Sequence, residues 1–274
     1  MNHTMRVSIT AFAVSLAAGA ALVLGAAAPV QAQTRPNLAM DGQWHFVAAP
    51  YVWFAGINGD VSVKGLTEVP INESFSDIFE NFHFGALAHF EGRKDRWGFA
   101  TDVMYLDLHA GVGTGVPALS RVDLEATVKS LTTEGLAFYR VATGGAKDNP
   151  AHLDLLAGAR YYRMSNQLNA TIPIGGAIAG DKKEFGWADA LAGLRVRAPL
   201  GARFAFIGRG DVAGLGSKFT WNLEGDVAGS LSEHWTLGLG WRHLSIDYDK
   251  GTGSDRKLFD AALDGPRTFV AYAW

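Results

Sequence analysis

Ten stretches of this 274-residue chain alternate with a period of two, and several set a run of apolar side chains on one face against polar, charged or glycine positions on the other. In Trp235–Asp249, Trp235, Leu237, Leu239 and Trp241 share one face, while Thr236, Gly238, Gly240 and Arg242 share the other. Phe219–Leu231 sets Trp221, Leu223 and Val227 against Asn222, Glu224 and Asp226. Phe185–Pro199 sets Ala190, Ala192, Leu194 and Val196 against Asp189, Arg195 and Arg197. His152–Asn166 sets Leu153, Leu155, Ala157 and Tyr161 against Asp154, Gly158 and Arg160, and Arg96–His109 sets Trp97, Phe99, Val103 and Tyr105 against Asp102. Successive side chains of a strand point to opposite faces, so each stretch reads as a strand with one apolar and one polar face. The other five are Gln43–Gly56, His83–Gly92, Leu124–Thr143, Arg203–Gly214 and Asp260–Trp274.

A soluble sandwich also alternates. The aromatic residues separate the two cases: Trp44, Trp97, Tyr139, Trp235 and Trp274 all sit near one end of an apolar face, where the aromatic girdle of a membrane barrel belongs. Each stretch reaches the 9–11 residues or so that a tilted strand needs to cross a bilayer. The connections alternate as well. Short ones lie at 92–95, 144–150, 199–201 and 232–234, and long polar or glycine-rich ones at 57–82, 110–123, 167–184 and 250–259. Only 215–218 is short on the long side. The fold class is therefore all-β: a closed antiparallel up-and-down transmembrane β-barrel of about ten strands, with eight or twelve left open. Within the first long connection, Phe75, Ile78, Phe79 and Phe82 follow Ser74 and Ser76 at helical spacing, which predicts a short capped helix, and Val61–Val63 reads as a strand extension.

The two ends fit this architecture. Arg6 precedes an apolar run from Val7 to Ala28, and Val30 and Ala32 occupy the small-residue positions of a cleavage site. This predicts a cleaved secretory signal peptide over 1–32, a short periplasmic leader over 33–42 and a barrel domain over 43–274. At the other end Val270, Tyr272 and Trp274 share one face of an aromatic strand. That ending resembles the C-terminal assembly signal of Gram-negative outer-membrane β-barrel proteins, which implies recognition by the barrel assembly machinery. The runs Arg209–Val212 and Gly240–Tyr248 extend the resemblance to the small outer-membrane barrels of the OmpA-like and porin-like class, including proteobacterial members with similar runs. The class implies a bacterial outer-membrane location, contact with outer-membrane lipids and lipopolysaccharide, and a monomer. It implies no activity.

The chain has no cysteine, hence no disulfide and no thiolate chemistry. Loss of the leader takes one base, Arg6, from 24 and leaves 23 against 27 acids, a formal charge of −4 that argues against nucleic acid as a partner. No motif calls for a cofactor or a metal.

Face parity gathers a set of expected lumen-lining residues: Asp102, Glu134, Arg160, Asp189, Arg195, Arg197, Arg209, Asp211, Glu224, Asp226, Arg242 and Arg267, with Asp154 on the same side and His89 nearby. At about ten strands the bore is narrow. Opposite charges confined there should pair, because unpaired charge in a partly dehydrated space is costly. The first expectation is a structural or surface-interaction barrel with a charge-filled lumen, and no enzyme. The alternative is a narrow channel for small hydrophilic solutes lined by the same residues.

Three motifs compete with this reading. Arg209-Gly210-Asp211 matches an adhesion tripeptide but falls inside a strand, and Gly214–Lys218 lacks both the spacing and the following helix of a phosphate loop. Asp107-Leu108-His109 and Asp247-Tyr248-Asp249 resemble the rim site of omptin proteases in composition, which makes a rim hydrolase the distant third reading. The pairs stand in the reverse chain order, and parity points both outward.

Overall fold

The computed structural model describes residues 40–63, 69–112, 123–146, 149–172 and 176–274. The expected leader over 1–32 and residues 33–39 of the 33–42 segment lie outside these residues.

Among the described residues twelve strands form one sheet: β1 (Trp44–Trp53), β2 (Gly56–Val63), β3 (Val69–Glu73), β4 (Phe82–Lys94), β5 (Trp97–Val112), β6 (Asp123–Ala146), β7 (Asn149–Ile172), β8 (Gly176–Pro199), β9 (Phe204–Gly214), β10 (Phe219–Ser230), β11 (Trp235–Lys250) and β12 (Lys257–Ala273). Ten of them, β1 and β4–β12, pair in antiparallel succession, and the β1–β12 pairing closes the ring. The seam is made from backbone. Phe46 N–H donates to the Trp274 carbonyl at 2.9 Å, and Trp274 N–H returns the bond to Phe46 at 3.0 Å.

The first long connection is built rather than loose. β2 continues β1 along β12 in one unbroken register, from Val47↔Ala273 to Trp53↔Arg267 and on from Gly56↔Asp264 to Val63↔Lys257. The interruption at Phe54–Ala55 faces Pro266, which has no N–H to donate to the ladder, although its carbonyl accepts from Phe54 N–H at 2.8 Å. β3 folds back on β2, and a single helix, α1 (Phe75–Glu80), leads into β4. Ser74 caps α1 in a reciprocal box with Asp77, whose carboxyl is held below its usual range by the Ser74 hydroxyl and amide. Phe75 meets the Phe54 ring at 4.9 Å, so the helix is pinned to the end of β1. The β1–β4 ladder stops at Pro50↔Ala88, below this point.

The expected long connection over 167–184 is mostly strand: β7 runs up to Ile172 and β8 starts at Gly176, with pairing to Ile172↔Gly176. The 144–150 connection likewise lies largely within β6 and β7. An apolar-face criterion misses such extensions, because a strand beyond the bilayer meets water on its faces and has no need of an apolar one.

Facing outward is a belt that includes Val103, Leu155, Leu194, Val212, Leu223, Leu239 and Val270, all exposed. At the end with short turns it is bordered by Trp44, Trp97, Trp235 and Trp274, with Tyr139 against Trp97 at 4.6 Å and Tyr272 against Trp235 at 4.8 Å. Phe84, Tyr161, Trp221 and Trp241 are exposed toward the opposite, loop end. An apolar band between two aromatic girdles matches a bilayer in cross-section.

Candidate functional site

Among the described residues, most of the buried charge lies on the inward face. Arg160 on β7 is 0% exposed and gives Nε and Nη2 to Glu134 of β6 at 2.9 and 2.7 Å, and Nη2 to Asp211 of β9 at 2.7 Å. Arg209 reaches the same two carboxylates, Glu134 at 2.6 Å and Asp211 at 2.8 Å. The adhesion-like tripeptide is thus an internal lattice.

A second group forms on β10–β12. Arg267 pairs with Glu224 at 2.8 Å and Asp226 at 2.6 Å, and Arg242 lies 3.4 Å from Glu224. A third joins β4, β6, β7 and β8: Arg140 pairs with Asp154 at 2.9 Å, and Arg195 joins Asp154 at 2.9 Å to Glu91. The Arg195 guanidinium also lies over the Phe138 ring, 4.5 Å from its centre.

These groups connect. Asn222 donates to Asp211 at 3.0 Å and to Glu224 at 2.9 Å, and accepts from Arg242 Nε at 3.0 Å. Arg242 Nη1 reaches the Tyr51 hydroxyl at 3.4 Å, which donates to Asp102 at 2.8 Å. His89 then stands between Asp102 at 3.6 Å and Glu91 at 3.8 Å. From Tyr51 on β1 to Arg267 on β12, all ten barrel strands contribute a side chain to one chain of polar contacts around the bore.

Two expected residues serve other ends. Asp189 accepts from Gly216 N at 2.9 Å, Ser217 N at 2.6 Å and Ser217 Oγ at 2.8 Å. It anchors the short β9–β10 connection inward, with Ser217 buried and Leu215 at a left-handed φ of 91°. This explains why the one short link on the loop side can be short. Arg197 donates to Asn149 Oδ1 at 2.7 Å and the Pro150 carbonyl at 2.8 Å, near the turn end.

Above the polar ring, toward the loops, the bore is filled by aromatic side chains. Trp187 stacks on Tyr248 at 4.0 Å and on Tyr162 at 4.7 Å, with Phe185 5.9 Å from both Trp187 and Tyr248. Tyr51, Trp53, Met104, Leu244, Ile246 and Phe259 belong to the same buried cluster. Below the ring is a cavity of about 200 Å³ whose lining runs from Asp102 and Glu224 down to Ala273 and the turn residue His234.

From the sequence, Asn222 stood on the polar face but outside the lumen set, and Glu91, Arg140, His152 and the aromatic cluster were not singled out. Arg140 shares its face with Glu134, and Trp187 with Asp189, so the same parity test carries the signal for both. Apolar residues on a polar face were simply not read as a feature.

The rim pairs do not converge. Asp107 and His109, 3.1 Å apart, share the outward face of β5 with the exposed Val103, and Asp107 is held by Lys129 at 2.8 Å. Asp249 lies on β11, beyond β4, β1 and β12, and is held by Lys218 at 3.0 Å and Arg256 at 2.9 Å. The hydrogen bond to Asp249 raises the Lys218 ammonium above its ordinary range. Among the described residues no group of three or more His, Asp or Glu side chains is placed to hold a metal ion.

No protein-family model matches the chain, and no curated protein matches it significantly. Solved structures do. The outer membrane protease OmpT of Escherichia coli aligns over 89% of this chain and 100% of its own, at 7% identity and a TM-score of 0.49. The translocator domain of the autotransporter NalP of Neisseria meningitidis aligns over 86% and 90%, at 13% identity and a TM-score of 0.36. The attachment invasion locus protein Ail of Yersinia pestis aligns over 84% and 98%, at 10% identity and a TM-score of 0.30. What these have in common with the chain is the antiparallel β-barrel.

Proposed function

We propose that the protein is an integral outer-membrane barrel with a structural or surface-interaction role, its lumen closed to solutes between the outer face and the periplasm. The observation that carries this reading is the polar ring drawn from all ten strands, with the Trp187–Tyr248 stack lying on its loop side at 4.0 Å. A solute would have to break buried ion pairs and displace stacked rings in sequence, and each step is costly in a partly dehydrated bore. The apolar belt and its two girdles support residence in a bilayer, with the short turns toward the periplasm and the longer hairpins outside. Assembly machinery would engage Val270 and Tyr272 on the outer face of β12 and Trp274 just past its end, all exposed, and the surface hairpins would meet lipopolysaccharide or other surface partners.

Planar-bilayer recording of the refolded chain from Gln33 onward tests this. The expected trace is flat, from protein that is folded by its heat-modifiable mobility on gels. Discrete conductance steps that shift when Arg195 or Arg242 is neutralised would replace the reading with the narrow channel lined by the same residues.

A further inference from the structure

On the outer face, His243 of β11 stands directly across from Asp264 of β12, and its Nδ1 lies 2.9 Å from Asp264 Oδ1. The same oxygen accepts from Trp241 Nε1 at 2.9 Å, so the carboxylate is held from two sides. The imidazole stacks on Trp221 of β10, with ring centres 4.4 Å apart. A carboxylate at Nδ1 fixes the tautomer that carries its proton there and leaves Nε2 with a free lone pair. Ser245 follows two residues on, on the same outward face and about 7 Å along the strand. Its hydroxyl and His243 Nε2 have no hydrogen-bond partner among the described residues, and both side chains are partly exposed. Trp221 stands across from Ser245, and its indole N–H is likewise without a hydrogen-bond partner there. From Trp235 at the turn-end girdle to His243 is about 27 Å of strand, or roughly 20 Å of height at a tilt of about 40°. The apolar band of a membrane barrel is about 25 Å tall, so the set lies near its outer edge, where acyl chains give way to head groups.

The geometry points to a serine hydrolase site for acyl esters of the outer leaflet. Ser245 Oγ attacks the ester carbonyl carbon while its proton passes to His243 Nε2. The carbonyl oxygen takes the negative charge, and Trp221 Nε1–H donates to it. The tetrahedral adduct collapses as the C–O bond to the alcohol breaks, and His243 gives its proton to the departing oxygen. Water then attacks the acyl-serine; His243 takes the water proton and returns it to Ser245 Oγ, releasing a carboxylic acid. Asp264 is a positioning residue, which orients the imidazole and stabilises the imidazolium formed in each half of the cycle. The Oγ–Nε2 hydrogen bond is not made in this structure, and such contacts commonly tighten only in the substrate complex. The site rests on the bilayer residence proposed above and is independent of conduction, since it lies outside the barrel wall.

The test uses the full chain, purified in detergent and folded by its heat-modifiable mobility. A fluorophosphonate probe should add to Ser245, located by mass spectrometry after digestion, and a p-nitrophenyl acyl ester in micelles should be hydrolysed. In vesicles, fatty acid released from phospholipid or from acylated lipopolysaccharide identifies which lipid supplies the ester. Ser245→Ala and His243→Ala should each lower kcat at least about 100-fold. Trp221→Phe keeps the ring and loses the N–H, and should cost about 100-fold. Asp264→Asn should lower kcat at least about tenfold with KM unchanged, and Asp264→Glu should recover part of the loss. His109→Ala, on β5, should act as the native chain does. Absence of both adduct and hydrolysis in the folded native chain overturns the proposal, and so does native turnover in folded Ser245→Ala or His243→Ala. Labelling and micellar hydrolysis read the site without a bilayer, so their failure is distinct from a failure of membrane residence, which insertion into vesicles reads.

Discussion

Arg160→Met removes the cation at the centre of the most buried ion group. The native side chain is fully buried and makes three hydrogen bonds of 2.7–2.9 Å to Glu134 and Asp211. Methionine preserves much of the length and none of the charge. Two carboxylates are then left to share Arg209, at 2.6 and 2.8 Å. Breaking a buried pair by deleting one partner costs about 3–5 kcal/mol, because the stranded charge keeps its desolvation penalty. That corresponds to a fall of about 100- to several-thousand-fold in the folding equilibrium constant. A second change, Glu134→Gln, should return most of the loss, since Asp211 and Arg209 then form a one-to-one pair. Urea unfolding in detergent, followed by tryptophan fluorescence and heat-modifiable mobility, reads both variants. A cost for Arg160→Met below about 1 kcal/mol is what a screened surface pair would show. That result would mean that water fills the bore at this level and that the lumen is not closed there.

Three further outcomes follow from local geometry. Ser74→Ala should loosen α1 by about 1 kcal/mol, read as faster amide exchange over 75–80. The Asp77 carboxyl is depressed by its bonds to Ser74, so the cap stabilises at and above the ordinary carboxylate pKa. It should be lost as pH falls through the lowered value, and exchange that is flat through acid pH would contradict this. In Gly240→Ala the new Cβ would lie 2.2 Å from the Gly225 carbonyl oxygen and 2.3 Å from Asp226, so a loss of about 1–3 kcal/mol in urea unfolding is expected. Gly210→Ala on the outer face, 3.8 Å from Leu223, should cost no more than about 0.5 kcal/mol. Trp274→Ala removes ring contacts to Phe46 and Tyr272 at 5.8 and 5.9 Å while the seam's backbone bonds remain. Aromatic pairs contribute about 0.5–1.5 kcal/mol each, so the refolded fraction into lipid vesicles should fall, and an unchanged yield would remove the closing role assigned to this strand.

Strand number and side-chain facing were legible because a bilayer enforces them: Leu223 and Glu224 are adjacent, yet one is exposed on the belt and the other buried in the bore. Legibility ended where that enforcement ends. Beyond the bilayer, β3 and the extensions of β7 and β8 carry no obligatory apolar face, so a pattern read for lipid takes them for loops, and of β2 only Val61–Val63 stood out as strand. The polar ring was only half visible for a different reason. Parity assigns a side chain to the interior but not to a height along the bore, and pairing depends on height. Arg197 and Arg195 share a face, yet Arg195 joins Asp154 and Glu91 while Arg197 bonds the turn at Asn149 and Pro150. The aromatic cluster was hidden because Trp187, Tyr248 and Phe185 lie on faces that elsewhere carry charge.

The position of the ring between two unlike halves of the bore sets what each of its charges is worth. Toward the loops it abuts stacked aromatic side chains, and toward the turns it borders a cavity reached by water. Charges on the dry side carry the full desolvation cost, and charges on the wet side recover part of it. Arg160, fully buried, belongs to the first kind, and Arg195, with 15% of its side chain exposed, to the second. Arg195→Met would leave Asp154 with Arg140 and leave Glu91 beside His89 and the cavity. Its expected cost is therefore about 1–2 kcal/mol, between the surface and buried limits. Equal losses for Arg160→Met and Arg195→Met under the same unfolding conditions would show that the two halves do not differ in hydration. The ring would then mark no boundary between water and packed apolar groups.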